Sequence, residues 1–220
     1  MLHRTLDLWG RYFPGYLRGT VVTLELTGAS LAAALALGLL IALARMAPSR
    51  VLRNAAAAYV EVFRATPVIV ILFVAYFGLA QMGLTLPPFL SVVVSLGAFY
   101  GALYCEVYRS GVESVPNGQR EAAAALGLPP HRSLWRVVLP QAMLAILPPG
   151  TNTAADLLKD TSLVVTISGV ADIMYHAYGA ASATFAPMTM FVLAALFYFP
   201  IYLLLSVVAR RWEGRHAARN

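Results

Sequence analysis

The chain is 220 residues long, with 60% hydrophobic residues, 12% charged residues and a formal net charge of +6. Soluble globular domains carry about a quarter charged residues, so the composition excludes an ordinary water-soluble domain and points to the lipid bilayer as the main solvent. The single cysteine, Cys105, excludes an internal disulfide framework and any Cys-based metal motif, and neither a metal site nor a nucleic-acid partner is expected.

Four stretches lack Asp, Glu, Lys and Arg altogether: Leu26 to Ala44, Ala65 to Cys105, Val137 to Ala155 and Ile173 to Ala209. About 20 apolar residues cross a hydrocarbon core of roughly 30 Å, so each stretch holds one or two spans. The first residues mix Arg4, Asp7, Arg11 and Arg18 with aromatics, unlike a cleavable leader. There Leu6, Trp9, Phe13 and Leu17 recur at helical spacing, which predicts an amphipathic helix in the membrane interface ahead of a retained first span. Pro and Gly punctuation then sets the spans at 19–46, 57–80, 88–110, 141–165 and 187–210, inside one transmembrane domain covering 1–220. Gly83, Pro87 and Pro88 divide the long second stretch, since an unbroken helix of about 40 residues would overshoot the bilayer. The expected fold is all-α: a polytopic membrane protein of about five transmembrane helices.

Positive charge sets the orientation, because Lys and Arg collect in loops kept on the cytoplasmic side. Arg45, Arg50 and Arg53 follow the first span; Arg109, Arg120, Arg132 and Arg136 follow the third; Arg210, Arg211, Arg215 and Arg219 follow the fifth. The loops at 81–87 and 166–186 carry none. The 111–140 loop and the C-terminus are therefore placed in the cytoplasm, and an odd number of spans puts the N-terminus outside. Arg4, Arg11 and Arg18 run against the rule and are assigned to the interfacial helix.

The cytoplasmic loop reads as two short helices. Glu121 to Leu126 is built of strong helix formers, Gly127 suits a left-handed C-terminal cap, and Pro129 and Pro130 stop simple continuation. A second helix resumes near His131, with Leu134, Val137 and Val138 on one apolar face. Glu121, Ala122, Ala123, Leu126 and Gly127 with Leu128, followed by Leu139, Pro140, Gln141 and Ala142, resemble the EAA loop of bacterial ABC importer permeases. Glu61, Phe63, Arg64, Thr66 and Pro67 resemble the motif opening the second span in the polar amino-acid branch of that family, and Asn152 with Leu157, Lys159, Asp160, Thr161, Ser162 and Leu163 resembles its fourth-span motif. Trp135, where phenylalanine is commoner, and the Pro129–Pro130 pair depart from the pattern.

The resemblance runs from about Thr20 to Arg211. It implies a type I ABC importer permease fold, whose cytoplasmic loop forms a coupling helix that docks on an ATPase; the face of Ala122, Ala123 and Ala125 suits close docking. It implies a second permease, as an identical copy or a paralogue, and an extracytoplasmic amino-acid-binding protein, all at the bacterial cytoplasmic membrane. Substrate would cross by alternating access. A P-loop needs Gly-Lys-Ser/Thr, and the only lysine, Lys159, lies between Leu158 and Asp160. ATP and Mg therefore belong to a separate ATPase subunit, and this chain is expected to hold no cofactor and to catalyse nothing.

Charges inside spans are costly and mark function by default, each weighed against plain pairing. Lys159 stands at i+3 from Asp156, so it either neutralises it or joins Asp160, Thr161 and Ser162 in lining a substrate route. Glu61 and Arg64 share the same spacing, as a local pair or as a gate, and Glu106 with Arg109 reads as an interfacial pair. Glu25 stands alone in the first span and either snorkels outward or faces the pathway. A membrane-embedded enzyme would need a nucleophile and base in one leaflet, and the predicted spans hold no histidine. An ion-coupled secondary transporter would show internal repeats, and none is evident.

Overall fold

The computed structural model describes the backbone of residues 2–217 and the side chains of residue 3 and of 5–207. Arg4, Arg210, Arg211, Arg215 and Arg219, used above for orientation, lie outside the described side chains. Among the described residues the chain is helical with no strand.

Helix α1 (Leu2–Arg45) is continuous for 44 residues. The predicted interfacial segment and first span are thus one element, and the N-terminal part does not lie apart from the bundle. Tyr16 is fully buried and its hydroxyl donates to the Met190 carbonyl at 2.9 Å. Trp9 Nε1 donates to the Thr189 carbonyl at 3.0 Å. A Cβ on Gly19 would come within 2.7 Å of the Asp172 carbonyl oxygen, so only glycine allows this approach.

Helix α2 (Arg50–Ala65) starts at Ser49, whose hydroxyl accepts from the Leu52 N–H at 3.4 Å. It does not continue as the straight span expected over 57–80. The chain turns by 104° between Arg50–Ala65 and α3, which runs over Val68–Gln81 with a π turn at Val74–Gly78. Pro67 is the cause: it lacks an N–H, and its ring forces Thr66 into an extended conformation, φ −98° and ψ 129°.

Helix α4 (Pro88–Glu113) packs along α1 and forms the centre of the bundle. In lipid, apolar surface alone drives little helix association, and close backbone approach takes over. Here it occurs at two glycines: a Cβ on Gly38 would lie 2.7 Å from Tyr104 Cβ, and one on Gly97 would lie 2.9 Å from Ala33 Cβ. Leu26, Ala34, Leu96, Tyr100 and Tyr104 are buried at this crossing, with Leu72 and Leu157 from neighbouring helices.

Beyond α4 come the short helices α5 (Asn117–Ala125) and α6 (Pro130–Ser133), then a π turn at Leu134–Val138 that leads into α7 (Leu139–Asp160). The latter ends before the predicted residue 165 and tightens into a 3-10 turn, Thr161–Thr166. Helix α8 (Ile173–Thr184) is capped by Asp172, which accepts from the Tyr175 N–H at 2.8 Å. Helix α9 (Pro187–Ala217) completes the chain.

Among the described residues three helices are long and apolar enough to cross a membrane, α1, α4 and α9, or four if the bent α2–α3 pair counts as one. The expected fourth span, α7, is long enough, but its prolines, Asn152 and charged residues make it too polar to stand out.

Candidate functional site: coupling loop and intramembrane charges

The loop following α4 is anchored from below. Val115, Val138, Ala142 and Ile146 form a buried cluster with Val107, Tyr108 and Val112 of α4 packed on it. The Gln141 amide donates to the Val137 carbonyl at 2.8 Å, holding the turn of Leu139 and Pro140. Gly127 has φ +74°, the Gly127 N–H donates to Ala124 O at 2.9 Å, and the Leu128 N–H donates to Ala123 O at 3.0 Å. Those two bonds make a Schellman cap, so the glycine ends α5 in the left-handed conformation expected of it.

With its base fixed, the loop turns apolar side chains outward. Leu126 is 83% exposed and Trp135 is 68% exposed, with Leu134 beside them. Glu121 and Ala122 are exposed too. Ala123 differs from expectation: it is buried, so the outer face is Ala122 and Ala125 without it. An open cavity of about 650 Å³ separates the loop from the ends of α1 and α4, lined by Met46, Val112, Arg120, Gly127, Leu134 and Val138.

On α7, Asn152, Asp156 and Lys159 fall at i, i+4 and i+7 and are all exposed, a polar row along one side of the helix. Lys159 Nζ sits 2.6 Å from Asp156 Oδ1, so the expected pair is made, yet both side chains remain 60% exposed. Asp160 points the other way and accepts from the Tyr100 hydroxyl at 2.7 Å. Tyr100 was not foreseen from the sequence, where it is an ordinary aromatic in a charge-free run.

Thr161 is fully buried and its hydroxyl donates to the Leu158 carbonyl at 2.7 Å, which removes it from any open route. Ser162 stays half-buried and lines a cavity of about 340 Å³ with Lys159, Met174, Phe191 and Tyr198. Glu25 is exposed on α1 and belongs to no ion pair among the described residues.

The other charged sites divide sharply. Glu106 pairs with Arg109 at 2.8 Å and also with Arg45 of α1, while Arg109 reaches Glu113 at 2.5 Å. This network ties the end of α1 to the end of α4. Glu61 and Arg64 are both exposed and form no ion pair with each other, which overturns the local-pair reading. Thr66 donates to the Val62 carbonyl at 2.8 Å, so its hydroxyl closes the last turn of α2. No group of three His, Cys, Asp or Glu among the described residues is placed to hold a metal.

Residues 34–216 match the family described as the binding-protein-dependent transport system inner membrane component. The chain is 34% identical to a probable amino-acid ABC transporter permease of Bacillus subtilis over 93% of this chain and 90% of that protein. It is 34% identical to the arginine transport system permease protein of the same organism, over 92% of each. It is also 34% identical to the glutamine transport system permease protein of Escherichia coli K12, over 94% of this chain and 96% of the relative. A solved amino acid ABC transporter superposes with a TM-score of 0.88 at 33% identity, covering 93% of this chain and 95% of that one. With most of its length matched and its bundle superposed, the chain belongs to the family of binding-protein-dependent transport system inner membrane components, as a multi-pass permease of an ABC importer.

Proposed function

We propose that this permease imports polar amino acids, driven by ATP hydrolysed on a separate ATPase subunit and supplied by an extracytoplasmic binding protein. The observation that carries the ATPase partner is the coupling loop, a braced structure that turns Leu126 and Trp135 into solvent at the end of the bundle. Exposed aromatic and aliphatic anchors on a rigid base mark an interaction site, because such a surface is costly when left bare. The amino-acid substrate class follows from relatives named for amino-acid, arginine and glutamine transport. The row of Asn152, Asp156 and Lys159 supports it, since it offers hydrogen bonds and both signs of charge to an ammonium and a carboxylate.

On this reading five spans cross the membrane, with α7 held in place by its neighbours despite its polarity. The N-terminus is outside and the coupling loop with the C-terminus is cytoplasmic. A second permease subunit completes the pathway, and ATP binding biases the pair between inward and outward packings. The test is reconstitution in liposomes with candidate ATPase subunits from the same organism, scoring ATP hydrolysis and amino-acid uptake for the wild type and for Leu126→Ser with Trp135→Ser. Loss of ATPase association in the double variant, with the bundle still folded, is the expected result. Failure of every ATPase to associate with the intact chain would refute the proposal.

A further inference from the structure

Arg11 and Arg18 stand at the end of the bundle opposite the coupling loop, where the charge rule disfavours basic residues, and the transport reading gives them no task. Helix α1 sets their depth. At 1.5 Å per residue Arg18 lies about 40 Å, and Gly15 about 45 Å, along α1 from Arg45, which is paired with Glu106 at the coupling-loop end. A bilayer measures about 40–45 Å with its headgroups included, so with Arg45 at one polar surface Gly15 and Arg18 reach the other.

Arg11, Gly15 and Arg18 fall at i, i+4 and i+7, on one side of α1. Gly15 leaves a notch in that side, and His176 of α8 is seated over it: a Cβ on Gly15 would lie 3.0 Å from His176 Nδ1. A cavity of about 470 Å³ opens beside the notch, lined by Tyr12, Tyr175, His176, Tyr178 and Ser182. The Arg11 guanidinium lies over the Tyr12 ring, 5.9 Å from its centre. Burial, and then the Arg18 charge, hold His176 below its ordinary pKa, so the ring is neutral at pH 7 and near enough to Arg18 to feel it. Asp7 and Glu25 lie on the same side of α1, yet among the described residues neither arginine has an ion pair.

Two cations without a counter-charge, beside neutral hydrogen-bond donors, repel a cationic ligand and suit an anion. The depth selects which anion, because at the headgroup level phosphate is the abundant one. Leu17, Val21 and Leu24 are about half exposed and form an apolar track leading from Arg18 toward the membrane centre, where acyl chains run. The tyrosines at the rim are side chains enriched at this level. We infer that the notch binds the phosphate of an anionic phospholipid, Arg11 and Arg18 supplying charge, His176 and the tyrosine hydroxyls supplying hydrogen bonds. The inference goes beyond the transport reading, and on the orientation proposed above the lipid belongs to the outer leaflet.

A photoreactive lipid tests it. The full-length chain is placed in phosphatidylcholine nanodiscs with a trace of phosphatidylglycerol carrying a photoreactive acyl chain, and the cross-links are mapped by mass spectrometry. Cross-links between Leu17 and Leu24 are expected, suppressed by excess unlabelled phosphatidylglycerol and untouched by inorganic phosphate. Arg11→Gln and Arg18→Gln should each lower the yield there roughly fivefold, the usual contribution of one basic residue at an anionic lipid surface. The double variant with lysine at both positions keeps the charge and should retain most of the yield. Both arginines are exposed, so these substitutions leave the packing of α1 alone. An unchanged yield in the double glutamine variant, or equal labelling by a phosphatidylcholine probe, would overturn the inference. Suppression by inorganic phosphate would assign the notch to the free anion and overturn the lipid. Unchanged labelling together with loss of binding-protein-stimulated ATP hydrolysis would make the arginines a contact for an acidic protein surface, and the lipid site would fall.

Discussion

The hydrogen bond from the Tyr100 hydroxyl to Asp160 fastens the middle of α4 to the end of α7 at 2.7 Å. Tyr100 is only 2% exposed, so in Tyr100→Phe no water replaces the lost donor, and the carboxylate keeps only what its half-buried position gains from solvent. A hydrogen bond to a charged group contributes about 1.5–3 kcal/mol, and partial solvation of Asp160 places this one near the lower end, roughly 1.5 kcal/mol. For a domain of this size that lowers Tm by about 3–6 °C. The assay is a double-mutant cycle of Tyr100→Phe, Asp160→Asn and the double variant, each purified in one detergent and unfolded thermally or in denaturant. The interaction energy should come out near 1–2 kcal/mol, well above the additivity error of about 0.4 kcal/mol. Strictly additive substitutions would refute the reasoning, for the two side chains would then act separately whatever their distance.

Four further substitutions, at three sites, follow from the packing. Gly127→Ala places a Cβ at φ +74° and costs about 1–2 kcal/mol in the loop, whereas Gly127→Pro cannot adopt that angle and loses the N–H bonded to Ala124. Coupled ATP hydrolysis should fall modestly in the first and be lost in the second while the melting of the bundle barely moves; wild-type coupling in Gly127→Pro would contradict the capping role. Gly38→Val drives a Cβ to within 2.7 Å of Tyr104 Cβ, and overpacking of about 1–3 kcal/mol or more should appear as a lower unfolding midpoint in detergent. Ser30→Ala removes a buried hydroxyl that has no hydrogen-bond partner, so the variant should be neutral to roughly 1 kcal/mol more stable in the same measurement, and a clear loss would reveal a partner.

What the sequence made legible was local. The left-handed cap at Gly127 follows from a helix former run ending in glycine, and the Lys159–Asp156 pair follows from i, i+3 spacing. The same spacing failed at Glu61 and Arg64: an exposed pair on a helix is worth only about 0.2–0.5 kcal/mol, so spacing alone does not decide which of two such pairs closes. Contacts between helices were out of reach: Tyr100 and Asp160 lie 60 residues apart, Arg45 and Glu106 lie 61 apart, and nothing in either local sequence marks its partner. Apolarity alone found α1, α4 and α9 but undervalued the break at Pro67, where a proline in a hydrophobic run reads as a tolerable kink and turns the chain by 104°.

The path from the loop to the membrane charges is one helix long. From Leu139 to Asp160, α7 covers about 33 Å at 1.5 Å per residue, with Ala142 and Ile146 clamped at the loop end and Asp160 tied to Tyr100 at the other. A force on Leu126 or Trp135 reaches this rod through the joint formed by the π turn at Leu134–Val138, and farther along Pro148 and Pro149 each lack the N–H of a helix hydrogen bond. The rod offers two outcomes. Either the joint absorbs the displacement and the polar row stays still, or α7 moves as a unit and carries Asn152, Asp156 and Lys159 with it, straining the Tyr100–Asp160 bond. Spin labels at Asn152 and at exposed Val94 of α4 distinguish these, since only movement as a unit changes their separation when ATP is bound by a reconstituted complex. Movement as a unit is the expected outcome, because the buried Val138–Ala142–Ile146 cluster grips the rod above the joint, and an unchanged separation would place the moving part elsewhere.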